Sequence, residues 1–206
     1  MQMNLLKLYK ELLNEYGPQG WWPLIETGYH KGDYSYPNTQ EQVFEICIGT
    51  ILTQNTAWKN VEKAILNLNK VDALNVIGLE RLSDGKLREL VKVSGYFNQK
   101  AKKLRAFSKF YTQLEDKTPT RKELLEVWGI GPETADSILL YAYKKPEFVV
   151  DAYTKRLLLR LGLIDETAKY DEIKTLFEQN LEKDYKLFQE FHALIVEKGK
   201  HKPERS

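Results

Sequence analysis

Apolar residues recur at helical spacing along almost the whole chain, and that period confines it to an all-α fold. Leu5, Leu6, Leu8, Leu12 and Leu13 form a first amphipathic stripe that ends at Gly17-Pro18. Val43, Phe44, Ile46, Cys47, Ile48, Ile51 and Leu52 predict a helix from about Gln40 that is apolar almost all round and so belongs in a core. Val61, Ala64, Ile65 and Leu68 mark the next helix, which Asn55 or Thr56 can cap. Short helical pieces follow across 72–93, then a basic amphipathic helix over 98–114 and a short one over 120–127. Pro132 suits the first turn of a helix over 132–143, and Gly162 stops another over 153–161. Two last helices are predicted at 170–181 and 184–200. Only Phe148-Val149-Val150 reads as a strand, and three residues cannot build a sheet alone.

One long stretch resists this pattern. Residues 17–38 carry Gly20, Pro23, Gly28 and Pro37 together with Trp21, Trp22, Tyr29, Tyr34 and Tyr36. An irregular loop of that length is uncommon in a compact domain, and such loops are often functional. With 206 residues, 42% hydrophobic and 29% charged, the chain can bury one substantial core or two small ones sharing a cleft. Its apolar runs are far short of the roughly 20 residues of a membrane helix. The start MQMNLLKLYKELL is amphipathic, unlike a secretory signal, so a soluble cytoplasmic protein is expected. The single Cys47 cannot form an internal disulfide, nor by itself hold a zinc ion or an iron–sulfur cluster. A net charge of +2 hides basic clusters in QKAKKLRAFSKF (99–110), TKRLLLR (154–160) and EKGKHKPERS (197–206). Each fits a solvated helix face or a phosphate-binding surface.

The most informative segment is LLEVWGIGPETADSILLYA, 124–142. Gly129 and Gly131 flank Ile130, allowing a tight turn with positive φ and close approach to another surface, while Ile130 plugs inward. The turn feeds a helix N-terminus, where free N–H groups attract an anion. An ordinary αα-corner would also fit. Followed by FVVDAYTKRLLLRLG, the segment resembles the helix-hairpin-helix plus Gly/Pro–Asp signature of the base-excision DNA glycosylases that include endonuclease III. The resemblance runs from about residue 40 to 200. It implies two helical lobes, one over 40–146 with the hairpin, the other from 1–39 plus 147–206, and double-stranded DNA with a damaged base as partner. It also implies that the main chain of Gly129, Ile130 and Gly131, with Thr134, grips a phosphate. A Na or K ion would sit on hairpin carbonyls, with no side-chain metal ligands. Asp151 matches the family's carboxylate, which stabilises oxocarbenium charge at the sugar or orients water. Its position also suits a helix N-cap, and both roles are compatible.

Where endonuclease III-like enzymes carry a lysine nucleophile, Glu133 stands here. A carboxylate cannot form a Schiff base, so an enzyme without lyase activity is expected. Glu133 could face the damaged base or simply begin its helix favourably. Three more segments resemble the 3-methyladenine DNA glycosylase III type: WWP (21–23), ILTQNTAWKNVEKA (51–64) and SGYFNQKAKKL (94–104). By that resemblance Trp21, Trp22 and Pro23 form a base pocket suited to a cationic alkylated purine, although the tryptophans could equally anchor the loop. Gln54 or Asn55 would enter the gap left by the flipped nucleotide, beside Thr56, and Lys100, Lys102 and Lys103 are candidate phosphate contacts, of which some must point elsewhere on a helix. The four-cysteine iron–sulfur loop of many relatives has no counterpart in FHALIVEKGKHKPERS, so no cluster is expected. His30, His192 and His201 show no metal spacing, and His192 reads as a packed residue without chemistry. A monomer is expected. Glycosylase action on oxidised or deaminated bases is one alternative. The other is a non-catalytic DNA-binding module, against which the carboxylate and the aromatic loop both argue.

Overall fold

The computed structural model describes residues 5–201, so the last part of the basic tail, 202–206, lies outside the described residues. The helices are α1 (Leu5–Tyr16), α2 (Gln40–Thr53), α3 (Trp58–Asn69), α4 (Val76–Arg81), α5 (Asp84–Val91), α6 (Phe97–Gln113), α7 (Arg121–Glu126), α8 (Pro132–Ser137), α9 (Ala152–Arg160), α10 (Tyr170–Asn180) and α11 (Tyr185–Lys200). Among the described residues the only β pairing is an isolated bridge between Leu24 and Gly28. No helix of the described residues is long and apolar enough to cross a membrane.

Most helix starts follow from local chemistry. Thr39, Asn75, Ser83, Asp151 and Asp184 each accept a backbone N–H at the first turn of their helix. Thr120 and Glu123 form a reciprocal capping box at α7. Two expectations are corrected. Neither Asn55 nor Thr56 caps α3, whose N-cap is Ala57 without a side-chain bond. Asn55 takes a left-handed conformation with φ 53°, and the Thr56 hydroxyl bonds the Ser94 carbonyl instead. The helix expected over 132–143 changes character, because Ile138–Ala142 is a π turn that closes α8. Its last N–H, from Tyr143, reaches back five residues to Ile138 at 3.3 Å. The stretch 148–150 is extended but pairs with no strand.

The almost uniformly apolar α2 sits at the centre. It packs on α3, α6, α8 and the π turn, while α11 packs on α1, α9 and the same π turn. The extended stretch before Asp151 is driven inward by Phe148, whose ring stacks on Phe177 at 3.7 Å and meets Phe188 and Phe191 edge-on. Lys174 pairs with Glu147 and Glu178, and Glu178 accepts the Phe148 N–H at 2.9 Å, fixing that stretch to α10.

Buried carboxylates fasten the long loop. Glu190 on α11 accepts the Gln19 N–H and the Tyr34 hydroxyl, each at 2.7 Å. Glu45 on α2 accepts the Ile25 N–H at 2.7 Å. The two ring nitrogens of His30 stand 2.6 Å from the Asp33 carbonyl and 2.8 Å from that of Trp22. The bonds from Gln19 and Ile25 satisfy backbone N–H groups that would otherwise be orphaned as the loop folds over α2 and α11.

Two predictions follow from these buried charges. Burial pushes the Glu45 carboxyl from an ordinary 4.5 up to about 7. The folded state therefore holds this proton more tightly, which favours folding at low pH, an advantage lost as pH rises through about 7. The span corresponds to a cost on the order of 3 kcal/mol. Glu45→Gln keeps the acceptor for Ile25, so it should raise the melting temperature at pH 8 and give no gain at pH 4. Equal effects at both values would contradict this. The second concerns Asp136, fully buried on α8. It accepts Arg121 at 2.8 and 3.2 Å and the Tyr170 hydroxyl at 2.8 Å, tying α7, α8 and α10 together. Arg121→Met leaves that carboxylate without its cation and should cost about 3 kcal/mol in urea unfolding, at the low end for a broken buried pair because Arg121 is part-exposed.

Candidate active site

A cavity of about 180 Å³ opens where the long loop, the start of α3, α8, the π turn, α9 and α11 converge. Its floor is acidic and its walls are aromatic. Asp151 ends the extended stretch and caps α9, so its Oδ1 accepts the Thr154 N–H at 2.7 Å and the Thr154 hydroxyl at 2.9 Å. Its Oδ2 makes no such bond and faces His192 Nε2 at 3.6 Å, an ion-pair distance too long for a hydrogen bond. Burial acts to raise the Asp151 carboxyl, but His192 and the Thr154 bonds outweigh it and hold the group below its ordinary value. The site thus presents an anionic oxygen to the cavity.

The walls are a mutually braced set of rings. Trp21 meets Trp58 at 4.8 Å, Trp22 at 5.3 Å and Tyr29 at 5.8 Å, all edge to face. Trp22 also meets Trp58 at 5.1 Å and Tyr141 at 5.4 Å. Trp22 is buried against α2, where Gly49 admits it: a Cβ there would stand 3.0 Å from the indole nitrogen. It therefore both anchors the loop and lines the cavity, whereas half-buried Trp21 is the more accessible face. Pro23 is buried and does not line the cavity, which corrects its expected place in the pocket. Glu133 stands at the rim. The surrounding protein and the Asp151 charge push its carboxyl up and His192 draws it down, but its open position lets water damp the shift.

The glycine turn lies alongside. Gly129 has φ 85°, which favours glycine, and a Cβ on it would stand 2.5 Å from the Lys103 side chain, which packs against the bare Cα. Ile130 is buried as expected, but its N–H closes the turn onto the Val127 carbonyl at 3.0 Å, which removes it from the expected phosphate-gripping set. The N–H groups of Gly131, Glu133 and Thr134, at the start of α8, have no intramolecular partner among the described residues. The Thr134 side chain is buried and lines the cavity, its hydroxyl accepting from Gln54 Nε2 at 2.9 Å, so it is not a surface group for DNA. Gln54 also donates to the Gly129 carbonyl at 3.2 Å and accepts from Lys103, so its amide is fully engaged. Asn55 next to it is exposed.

The basic helix α6 is only partly as expected. Lys100 is 2% exposed and donates to the carbonyls of Leu52 at 2.7 Å and Ser94 at 2.6 Å and to Thr56 at 2.5 Å. Burial and the nearby Lys103 push it down to about 8. It joins the C-terminus of α2 to the turn before α6 and cannot reach a phosphate. Thr56 is likewise held internally by Lys100 and Ser94. Lys102 is exposed and Lys103 half-buried beside the hairpin.

Of the lining residues that the sequence reasoning did not assign to the site, three bear on its chemistry: Trp58, Tyr141 and His192, the last read as packed and without chemistry. Trp58 was visible as the aromatic that follows Gln54-Asn55-Thr56. His192 was visible as the polar residue interrupting the apolar face of Phe188, Phe191, Leu194 and Ile195. Tyr141 gave no signal, because its direction depends on the π turn. As for metals, no group of three or more His, Cys, Asp or Glu among the described residues could hold one. Cys47 is buried in α2 with its thiol pushed well up, so the residues present do not fit an iron–sulfur cluster.

The model of the HhH-GPD superfamily of base excision DNA repair proteins matches residues 48–183. A Methanocaldococcus jannaschii protein provisionally named a DNA repair glycosylase is 48% identical, over 94% of this chain and 86% of its own length. Endonuclease III of Thermotoga maritima is 30% identical over 76% of this chain and 73% of its own. In structure, the H. pylori 3-methyladenine DNA glycosylase bound to 1,N6-ethenoadenine is similar with a TM-score of 0.75 and 31% identity, covering 98% of this chain and 100% of that one. An endonuclease III–DNA covalent intermediate shares the fold with a TM-score of 0.76 at 16% identity, covering 95% of this chain and 85% of that one. The chain belongs to the HhH-GPD superfamily of base excision DNA repair proteins.

Proposed function

We propose that the protein is a monomeric, monofunctional glycosylase that hydrolyses the N-glycosidic bond of a flipped alkylated purine, 3-methyladenine above all, in double-stranded DNA. One observation carries this reading: the free Oδ2 of Asp151 faces a cavity walled by Trp21, Trp22, Trp58 and Tyr141. An N3-methylated adenine is cationic, so the negative faces of the rings attract it. As the bond to the sugar lengthens, positive charge grows on the deoxyribose, and a fixed carboxylate beside it stabilises that charge. The base is already a good leaving group, so little acid catalysis is needed, and Glu133 at the rim contacts the base or its exocyclic edge. The likeness to a solved enzyme holding a modified adenine supports the alkylpurine specificity.

Binding to the duplex follows the hairpin. The N–H groups of Gly131, Glu133 and Thr134 at the α8 start take a phosphate, with the remaining donors of Lys103 nearby. The turn holds a monovalent cation on carbonyl lone pairs that Ile130 and Gln54 leave open. Because the Gln54 amide is engaged with the hairpin, Asn55, exposed at the loop tip, enters the gap left by the flipped nucleotide. A protein acting on chromosomal DNA belongs with the nucleoid of the cytoplasm.

The test is a set of duplexes each carrying one modified base. Wild type should release 3-methyladenine, and Asp151→Asn, which still caps α9, should lower the rate at least about 100-fold while binding DNA normally. Activity confined to uracil or thymine glycol would overturn the pocket assignment, and binding without release of any base would leave only a DNA-binding module. For the missing lyase step, borohydride should trap no covalent adduct with a cleavable duplex, since Glu133 offers no amine. A trapped adduct would contradict it.

A further inference from the structure

His192 has an environment that packing alone does not require. Its side chain is 13% exposed and its Nε2 is buried without a hydrogen-bond partner, yet that atom faces the free oxygen of Asp151 at 3.6 Å. Its other nitrogen, Nδ1, lies 2.7 Å from the Tyr141 hydroxyl, which is also 3.3 Å from the Gln189 carbonyl. The phenol has one proton, and the carbonyl can only accept. Nε2 faces a carboxylate oxygen that can only accept, which favours the ring proton on Nε2 and leaves Nδ1 to take the Tyr141 proton over the 2.7 Å contact, in preference to the longer one to Gln189.

We propose that His192 is a positioning residue: held as the Nε2–H tautomer by Tyr141, it donates to Asp151 Oδ2 when a nucleoside fills the cavity, keeping that oxygen anionic and aimed at the sugar. This rests on the reading of Asp151 as the reaction's carboxylate. The present distance is a little beyond a hydrogen bond, as catalytic contacts are before substrate tightens them. A neutral donor suits this chemistry better than a cationic one, because a second positive charge would oppose both a methylated purine and the developing sugar cation. The other polar and charged groups around the pair are Glu133 from α8, Tyr141 from the π turn, Tyr153 and Thr154 from α9, and Glu190 and Lys200 from α11. Of these, Glu133 is close enough to feel the Asp151 charge, and the groups that hold the Asp151 carboxyl down are His192 and Thr154.

The experiment is the pH profile of single-turnover 3-methyladenine release by wild type, His192→Ala, His192→Gln and Tyr141→Phe. Without the donor, burial acts on Asp151 unopposed from that side, so its proton leaves at higher pH. His192→Ala should slow release roughly tenfold or more and move the acid limb up by about one pH unit, with unchanged affinity for an uncleavable duplex. His192→Gln, whose amide can still donate, should return the limb toward the wild-type position. Tyr141→Phe should give a smaller shift in the same direction. An acid limb at the wild-type pH in His192→Ala, with only a lower melting temperature, would overturn the proposal. Should His192→Ala not fold, a wild-type profile in Tyr141→Phe would overturn it equally. A wild type that releases no base at all would defeat the glycosylase reading instead. Carbon-13 titration of the Asp151 carboxyl with an uncleavable abasic-analogue duplex bound then still decides the inference, an upward shift in His192→Ala that His192→Gln lessens supporting it and the absence of that pattern overturning it.

Discussion

The site depends on one bond set, the N–H and hydroxyl of Thr154 closing on one oxygen of Asp151. A carboxylate removed from water is costly unless it is paired or hydrogen-bonded. Here the first turn of α9 supplies two donors and the favourable end of a helix dipole, which hold the anion in place and consume only one of its oxygens. The other oxygen is left facing the cavity. The surrounding structure serves this geometry: Phe148 and Glu178 fix the stretch that delivers Asp151, and Glu190 fastens the aromatic loop to the helix that carries His192.

The cavity and the DNA-facing turn are mechanically one unit. Gln54 bonds the Gly129 carbonyl on the turn and the Thr134 hydroxyl on the cavity wall, and Lys103 completes the triangle against the missing Cβ of Gly129. Beneath it, buried Lys100 holds the end of α2 and the turn before α6 together. A shift of the hairpin on binding phosphate would therefore be felt at the loop carrying Asn55 and at the wall of the base pocket. Basic residues that look like phosphate contacts in a linear sequence include some that make this scaffold rigid.

Much of this was legible in the chain. The helical period, the glycine pair at 129 and 131, and Asp151 after an extended stretch are local signals, and local signals survive into structure because caps and turns are set by neighbouring residues. Thr120, Pro132 and Gly162 act where their chemistry says they should. What was not legible depends on distant partners. Lys100 shares the helix face of Leu104 and Phe107 and Lys102 does not, but the carbonyls of Leu52 and Ser94 that receive Lys100 lie on other elements, so its internal role shows only in the fold. The π turn at 138–142, which aims Tyr141, leaves the helical pattern unchanged. His192 acquires a role only because α11 and the start of α9 meet.

The central claim is that a fixed negative oxygen awaits positive charge on the sugar. The most direct test compares two uncleavable duplexes, one with a neutral tetrahydrofuran in place of the damaged nucleoside, the other with a cationic pyrrolidine. Wild type should bind the cationic analogue at least about tenfold more tightly, and Asp151→Asn should lose that preference while keeping its affinity for the neutral one. Equal affinity of wild type for both duplexes would contradict the account.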